Sequence, residues 1–186
     1  MNIQQAICER RSIRHYTSEM PSRNLVHQVL EAARKAPSWA NTQCREFIIV
    51  TDTKLKDQLA KTLPEKNPAR QAILQAPLII AACARSGVSG YFKGQPVTDK
   101  GDWLMFDTAL ALQNLTLCAH ALGMGSVHVG FFDSLKAGEI LQIPSGTTIV
   151  ELLPLGYPAD AGVPTPRKPL TDFVFYDRHG NTDCTI

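Results

Sequence analysis

Apolar residues recur at helical spacing from the start of the chain. Ile3, Ala6 and Ile7 share one face of residues 2–9, and Leu25, Val26, Val29, Leu30 and Ala33 repeat the pattern within Ser22–Ala36. Two amphipathic helices are expected. The second has Ser22 as its N-cap, Arg34 and Lys35 near its negative dipole end, and Pro37 to stop it. Phe47–Val50 is short, apolar and β-branched, and Leu78–Cys83 is similar after Pro77, so both read as buried strands. Between them, Leu55, Leu59 and Leu63 mark a short helix ended by Pro64, and Ala69–Gln75 forms another.

Trp103–Leu122 is apolar on nearly every side, with Leu104, Phe106, Ala109, Leu110, Leu112, Leu115, Leu117 and Ala121, and Asp102 is placed to cap it. Such a helix must be covered all round, either by its own domain or by the same helix of a second subunit. Gly123 ends it, Gly125–Phe131 reads as a strand, Asp133 or Ser134 caps a helix running through Leu141, and Thr147–Leu155 is a last internal strand. Residues 158–186 form an extended C-terminal segment stiffened by Pro158, Pro164, Pro166 and Pro169, leading to a strand-like Phe173-Val174-Phe175. Arg85–Gly101 is rich in glycine and poor in aliphatic residues. It reads either as a binding lid, with Tyr91 and Phe92 touching substrate, or as a mobile surface loop. Helices and strands in similar number, without strict alternation, give an α+β fold or a layered α/β sandwich.

Composition narrows the function classes. The 186 residues are 44% hydrophobic and 19% charged, ordinary for one domain with a sizeable core, taken as residues 1–186. A formal net charge of +2 gives no reason to expect a nucleic-acid or membrane partner, so any cationic site has to be local. No apolar run approaches the roughly 20 residues that span a bilayer, and the N-terminus lacks a basic and then apolar leader, so a cytoplasmic location is expected. Cys8, Cys44, Cys83, Cys118 and Cys184 are odd in number and widely spaced, hence read as reduced thiols, with Cys83 and Cys118 as core filler. His15, His27, His120, His128 and His179 lack metal-ligand spacing, and no metal site is expected.

Three stretches carry candidate chemistry. In an extended Arg10-Arg11-Ser12-Ile13-Arg14, the side chains of Arg10, Ser12 and Arg14 share one side and offer charge-assisted donors to a phosphate or to the carbonyl edge of a planar ring. The same cations also suit a helix C-terminus, and Arg167-Lys168 also fits a plain solvent-facing pair. Ala36–Gln43 is a polar turn whose hydroxyl and amide groups either bond a polyol or heterocycle or satisfy their own backbone. In Gly123–Gly130, the last glycine lets backbone approach a flat ring, but the stretch is not the G-x-G-x-x-G fingerprint of a Rossmann site.

Taken in order, Arg10–Arg14, Ala36-Pro37-Ser38 with Asn41 and Gln43, the Gly123-Met124-Gly125 turn after a long apolar helix, and Leu155-Gly156-Tyr157-Pro158 followed by Arg167-Lys168-Pro169-Leu170 resemble the nitroreductase family of flavoproteins. The resemblance implies a dimeric three-layer α/β sandwich, its central, mostly antiparallel sheet flanked by helices, with FMN held at the homodimer interface. Carried over, Arg10, Ser12 and Arg167 hold the FMN phosphate, Arg11 lies along the ribityl chain, Arg14 sits near the pyrimidine edge, and Ile13 belongs to the same stretch. Pro37, Ser38, Trp39 and Asn41 come from the partner subunit, the N–H groups of Gly130 and Phe131 face flavin N5 and O4, and Asn67 and Arg70 match by spacing. The implied activity is ping-pong transfer from NADH or NADPH through FMN to a small electron-poor acceptor such as a nitroaromatic or quinone. Cys44-Arg45 replaces the family's usual Pro-Trp, and Trp39 is bulkier than is common there. Redox chemistry at Cys44 and a non-catalytic flavin carrier or redox sensor are therefore alternatives.

Overall fold

The computed structural model describes residues 1–183; Cys184, read above as a reduced thiol, lies outside the described residues. Helix α1 (Ile3–Glu9) opens with a capping box in which Asn2 and Gln5 satisfy each other's backbone N–H groups, and α2 (Arg23–Arg34) is capped by Ser22, whose side chain accepts from the Leu25 N–H. Strand β1 (Arg45–Val50) is followed by α3 (Thr53–Ala60), α4 (Ala69–Gln75) and β2 (Leu78–Arg85). A small hairpin, β3 (Tyr91–Phe92) with β4 (Gln95–Pro96), interrupts the glycine-rich stretch expected to be loop. Then come α5 (Leu104–Ala121), β5 (Gly125–Ser126), α6 (Ser134–Ile140) and β6 (Thr147–Gly156).

The main sheet has the order β1-β2-β6-β5, every pair antiparallel. Successive residues of β2 serve opposite cores. Ile79 and Ala81 pack with Leu59, Ile73 and Leu152 beneath α3, α4 and α6, whereas Leu78, Ile80 and Ala82 pack with Val29, Ala33, Leu112 and Leu115 of α2 and α5. A strand buried on both faces reads as an unbroken apolar run, which is why 78–83 showed no alternation. Each large aliphatic side chain fully buried there contributes about 1.5–3 kcal/mol. The result is helices on both faces of one sheet, the three layers expected.

Two expectations are corrected and one open alternative is set aside. The strand placed at Gly125–Phe131 pairs with β6 only over Gly125–Ser126; the chain then leaves the ladder and returns at Val129, which exchanges two 3.1 Å backbone hydrogen bonds with Leu152. The strand placed at Phe173–Phe175 does not form. Leu170–Asp172 is a 3₁₀ turn, and the N–H groups of Phe173 and Val174 donate back to the Leu170 carbonyl rather than to a neighbouring strand. Finally, α5 is not covered all round by its own chain. Leu104, Ala111, Leu112, Leu115 and Ala119 are buried, but Met105 and Phe106 are 59% and 52% exposed, and Ala109 is also exposed.

The segment after α1 is drawn alongside β5. Ser12 forms a parallel bridge with Ser126, and the Ile13 N–H donates to the Ser126 carbonyl at 3.0 Å. A Cβ on Gly125 would lie 2.5 Å from Cγ1 of Ile13, so only glycine permits this approach. Further on, Tyr16 pairs with Pro158, and the Ala159 N–H donates to the His15 carbonyl. These contacts tie the two ends of the chain together.

Candidate functional site

Arg10 is the C-cap of α1, its N–H donating to the Ala6 carbonyl, and the extended residues that follow aim several side chains into one cleft. Arg10, Arg11, Ser12 and Arg14 line a cavity of about 370 Å³, faced by Val163, Pro164, Thr165 and Arg167 from the C-terminal segment. Prolines 164 and 166 restrict the backbone on either side of Thr165 and so help fix where Arg167 enters. Ile13 does not face this cleft; its side chain is buried against Gly125 and anchors the segment instead.

The cations in the cleft find only neutral partners. Arg11 Nη1 donates to the carbonyls of Cys8 at 2.6 Å and Arg10 at 3.0 Å, and Arg167 Nη1 donates to Thr165 Oγ1 at 2.8 Å. Arg14 Nη1 reaches the Ser12 carbonyl at 3.5 Å. Among the described residues none of the four forms an ion pair with a carboxylate. Arg10 Nη1 is buried without any hydrogen-bond partner, and the Arg10 guanidinium is held below its ordinary pKa first by burial, then by Arg167 and Arg11. A buried donor left unpaired costs about 1–3 kcal/mol, and like charges around it add to that. An anion in the cleft would relieve both penalties.

Arg14 also lines a second, smaller cavity of about 150 Å³ with Asn67, His128, Gly130 and Phe131. Asn67 Nδ2 donates to the Phe131 carbonyl at 3.4 Å, and a Cβ built on Gly130 meets nothing within 4 Å, so the backbone there is open to close approach. Arg70, on α4, is half-buried and lines neither cavity. Sequence reading passed over a pair at its edge: His128, which lines this cavity, has its Nδ1 2.5 Å from Oε1 of Glu151, a residue of β6. The signal was present, since His128 projects between buried Val127 and Val129, and Glu151 is the one charged residue in Thr147–Gly156.

The turn at Pro37–Gln43 lines neither cavity of its own chain. Trp39–Asn41 forms a 3₁₀ turn, and Ala40, Asn41 and Gln43 take positive φ of 44°, 56° and 50°. Non-glycine residues hold such φ only when the surroundings enforce it. Two clamps do so. On one side Asp107 of α5, fully buried, accepts from the Trp39 N–H at 2.8 Å and the Ser89 hydroxyl at 2.7 Å, with Thr42 Oγ1 at 3.4 Å and the Cys44 thiol at 3.7 Å. On the other, Arg45 Nη2 donates to the Ala36 carbonyl at 2.6 Å, and its Nη1 reaches that of Pro37 at 3.4 Å. Ser38 Oγ closes the turn by accepting from the Gln43 N–H at 3.0 Å. The departures from family pattern at Cys44-Arg45 therefore build this turn. Asp107→Ala strands the Trp39 and Ser89 donors and is expected to cost about 2–4 kcal/mol in urea unfolding; a loss below about 0.5 kcal/mol would contradict the clamp.

The suggested redox role of Cys44 is corrected by the same contacts. Its thiol is fully buried and pushed up to about 11, first by burial and then by Asp107. Cys83, also fully buried, is pushed up to about 11 by burial and then by Glu46. Both thiols keep their protons in the folded state to higher pH than in the unfolded chain, so their contribution is intact below about pH 9. It is lost as pH rises toward 11. Urea denaturation is expected to show falling stability across that window, and Cys83→Ala to show a shallower fall; equal slopes would contradict the assignment.

Tyr91 and Phe92 sit on the β3–β4 hairpin, with Phe92 64% exposed and Lys93 Nζ 5.5 Å from its ring centroid. They line neither cavity of their own chain.

Residues 7–157 match the model of the nitroreductase family. An NADH dehydrogenase of Thermus thermophilus is 29% identical, covering 92% of this chain and 94% of that protein. The FMN reductase [NAD(P)H] of Bacillus subtilis is 30% identical, covering 88% of this chain and 69% of that protein. The crystal structure of a nitroreductase family protein from Clostridium novyi NT is 30% identical and covers 97% of this chain and 96% of its own, with a TM-score of 0.77. The match spans the Arg10–Arg14 stretch, the Pro37–Gln43 turn and β6, and the chain belongs to the nitroreductase family.

Proposed function

We propose that this chain is an NAD(P)H-dependent flavin oxidoreductase that holds FMN between two copies of itself and passes electrons to small electron-poor acceptors such as nitroaromatics and quinones. The observation that carries the reading is the uncompensated cationic cleft with a buried, unpartnered Arg10 Nη1. Its donor set fits the cofactor: a phosphate carries close to two negative charges, which Arg10, Arg167 and the Ser12 hydroxyl can match. Arg11 would run beside the polyol, and Arg14, which lines both cavities, would serve the ring end. A cation near the pyrimidine edge favours the reduced, anionic ring, and open backbone at Gly130 lets N–H groups reach its polar edge.

The turn carrying Pro37, Ser38, Trp39 and Asn41 serves the partner's site, with the apolar face of α5 joining the subunits. Bound FMN supplies two-electron chemistry, accepting from a nicotinamide and donating to the acceptor that replaces it in a ping-pong cycle. The protein's own part is to hold the phosphate, orient the ring and keep the two ligands on one face. Mixing FMN-reconstituted protein with NADH or NADPH under anaerobic conditions tests this directly. Bleaching of the yellow colour within seconds, restored by a quinone, is the expected result; a persistent oxidised spectrum would replace the enzyme with a flavin carrier, and failure to take up FMN would refute the site.

A further inference from the structure

His128 lines the smaller cavity with Gly130 and pairs behind it with Glu151, and neither has a part in fixing the phosphate. Glu151 is held in the middle of β6 with its side chain 16% exposed, whereas the His128 ring is 38% exposed and lines the cavity shared with Arg14. The contact from Glu151 Oε1 to Nδ1 fixes the ring in one orientation and selects the tautomer with hydrogen on Nδ1. That leaves Nε2 as the position free to carry or release a second proton, and a carboxylate on the far nitrogen stabilises the imidazolium when it does. A carboxylate-oriented imidazole opening into a ligand cavity is the arrangement of a general acid. The other charged group lining the cavity is Arg14, a hydrogen-bond donor with no acceptor. His128 is the one imidazole among the residues lining it.

We propose that His128, oriented by Glu151, is the proton donor to the acceptor. The proposal rests on the flavin oxidoreductase reading above. Reduction of a quinone to a hydroquinone needs two electrons and two protons. One proton arrives with the electron pair as a hydride equivalent from the reduced cofactor; the second passes from Nε2 of the imidazolium to the other quinone oxygen, forming an O–H bond as the N–H bond breaks. The neutral ring then regains a proton from water, and the electron pair traces back to the nicotinamide. Glu151 acts through His128 and is a positioning residue.

Ferricyanide takes electrons without protons, so it separates proton delivery from electron supply. Protein reduced with NADH is reoxidised in a stopped-flow instrument by para-benzoquinone or by ferricyanide, and the ratio of the two rate constants is compared between wild type, His128→Asn and Glu151→Gln. The ratio is expected to fall about a hundredfold in His128→Asn, the lower range for losing a general acid, and about tenfold in Glu151→Gln. Independently of turnover, proton NMR of the flavin-free protein is expected to show a strongly deshielded His128 Nδ1–H signal that Glu151→Gln abolishes. A wild type that NADH does not bleach overturns the function itself and this role with it. A wild type that bleaches, with an unchanged ratio in both variants, overturns the assignment of His128 alone and leaves a surface ion pair.

Discussion

Replacing Arg10 with alanine is expected to weaken FMN binding tenfold to a hundredfold, about 1.5–3 kcal/mol, the usual worth of one hydrogen bond to a charged group. The direction follows from where the guanidinium sits. It is partly buried, its Nη1 has no hydrogen-bond partner among the described residues, and the positive charges of Arg167 and Arg11 repel it. Such a group is maintained at a cost in the flavin-free protein, so Arg10→Ala should leave that form as stable as wild type or slightly more so. Opposite effects on ligand affinity and on stability distinguish a binding cation from a structural one. Arg34→Ala is the control: Arg34 is exposed, spends its charge on Glu31 one turn away, and lines no part of the cleft. Fluorescence titration with unchanged FMN affinity in Arg10→Ala would show that the residue is misassigned.

A double substitution, Met105→Glu with Ala109→Glu, is expected to convert a dimer to a monomer. Both positions lie on the exposed face of α5, one turn apart, beside the exposed Phe106. A helix end this apolar is costly to leave in water, and a second copy of the chain is the proposed cover. Two unpaired carboxylates buried in such an interface cost several kcal/mol, enough to weaken association by at least about a hundredfold. Sedimentation at micromolar concentration should then show monomer, with FMN lost in parallel because the partner's Pro37–Asn41 turn is withdrawn. A monomer that retains FMN would refute the shared site, and a persistent dimer would place the interface elsewhere.

Most of the architecture was legible because burial imposes period. The 3.6-residue repeat gave α2, and the unbroken run Leu78–Cys83 gave a central strand. Tertiary pairing escaped the pattern. Val127 and Val129 alternate inward as strand residues do, yet of the two only Val129 bonds to β6, and Phe173–Phe175 has the composition of a strand but pairs with no strand among the described residues. In the site, the cluster Arg10–Arg14 could be read as a phosphate grip or as helix-end charge; Arg167, brought across from near the other terminus, lines the same cleft and supports the first reading, which spacing alone could not do. Asp107 was hidden for the same reason. A lone aspartate in an apolar helix shows nothing about the four groups gathered on it from Trp39, Thr42, Cys44 and Ser89. The His128–Glu151 pair needs the β6 register to bring together residues 23 apart.

The claim on which the rest depends is that Arg10 and Arg167, from opposite ends of the chain, grip a terminal phosphate. Riboflavin differs from FMN by that group alone, so parallel fluorescence titrations isolate it. FMN is predicted to bind at least about a hundredfold more tightly than riboflavin, with most of that preference gone in the Arg10→Ala, Arg167→Ala double variant. Equal affinities for the two flavins in the wild-type protein would contradict the account.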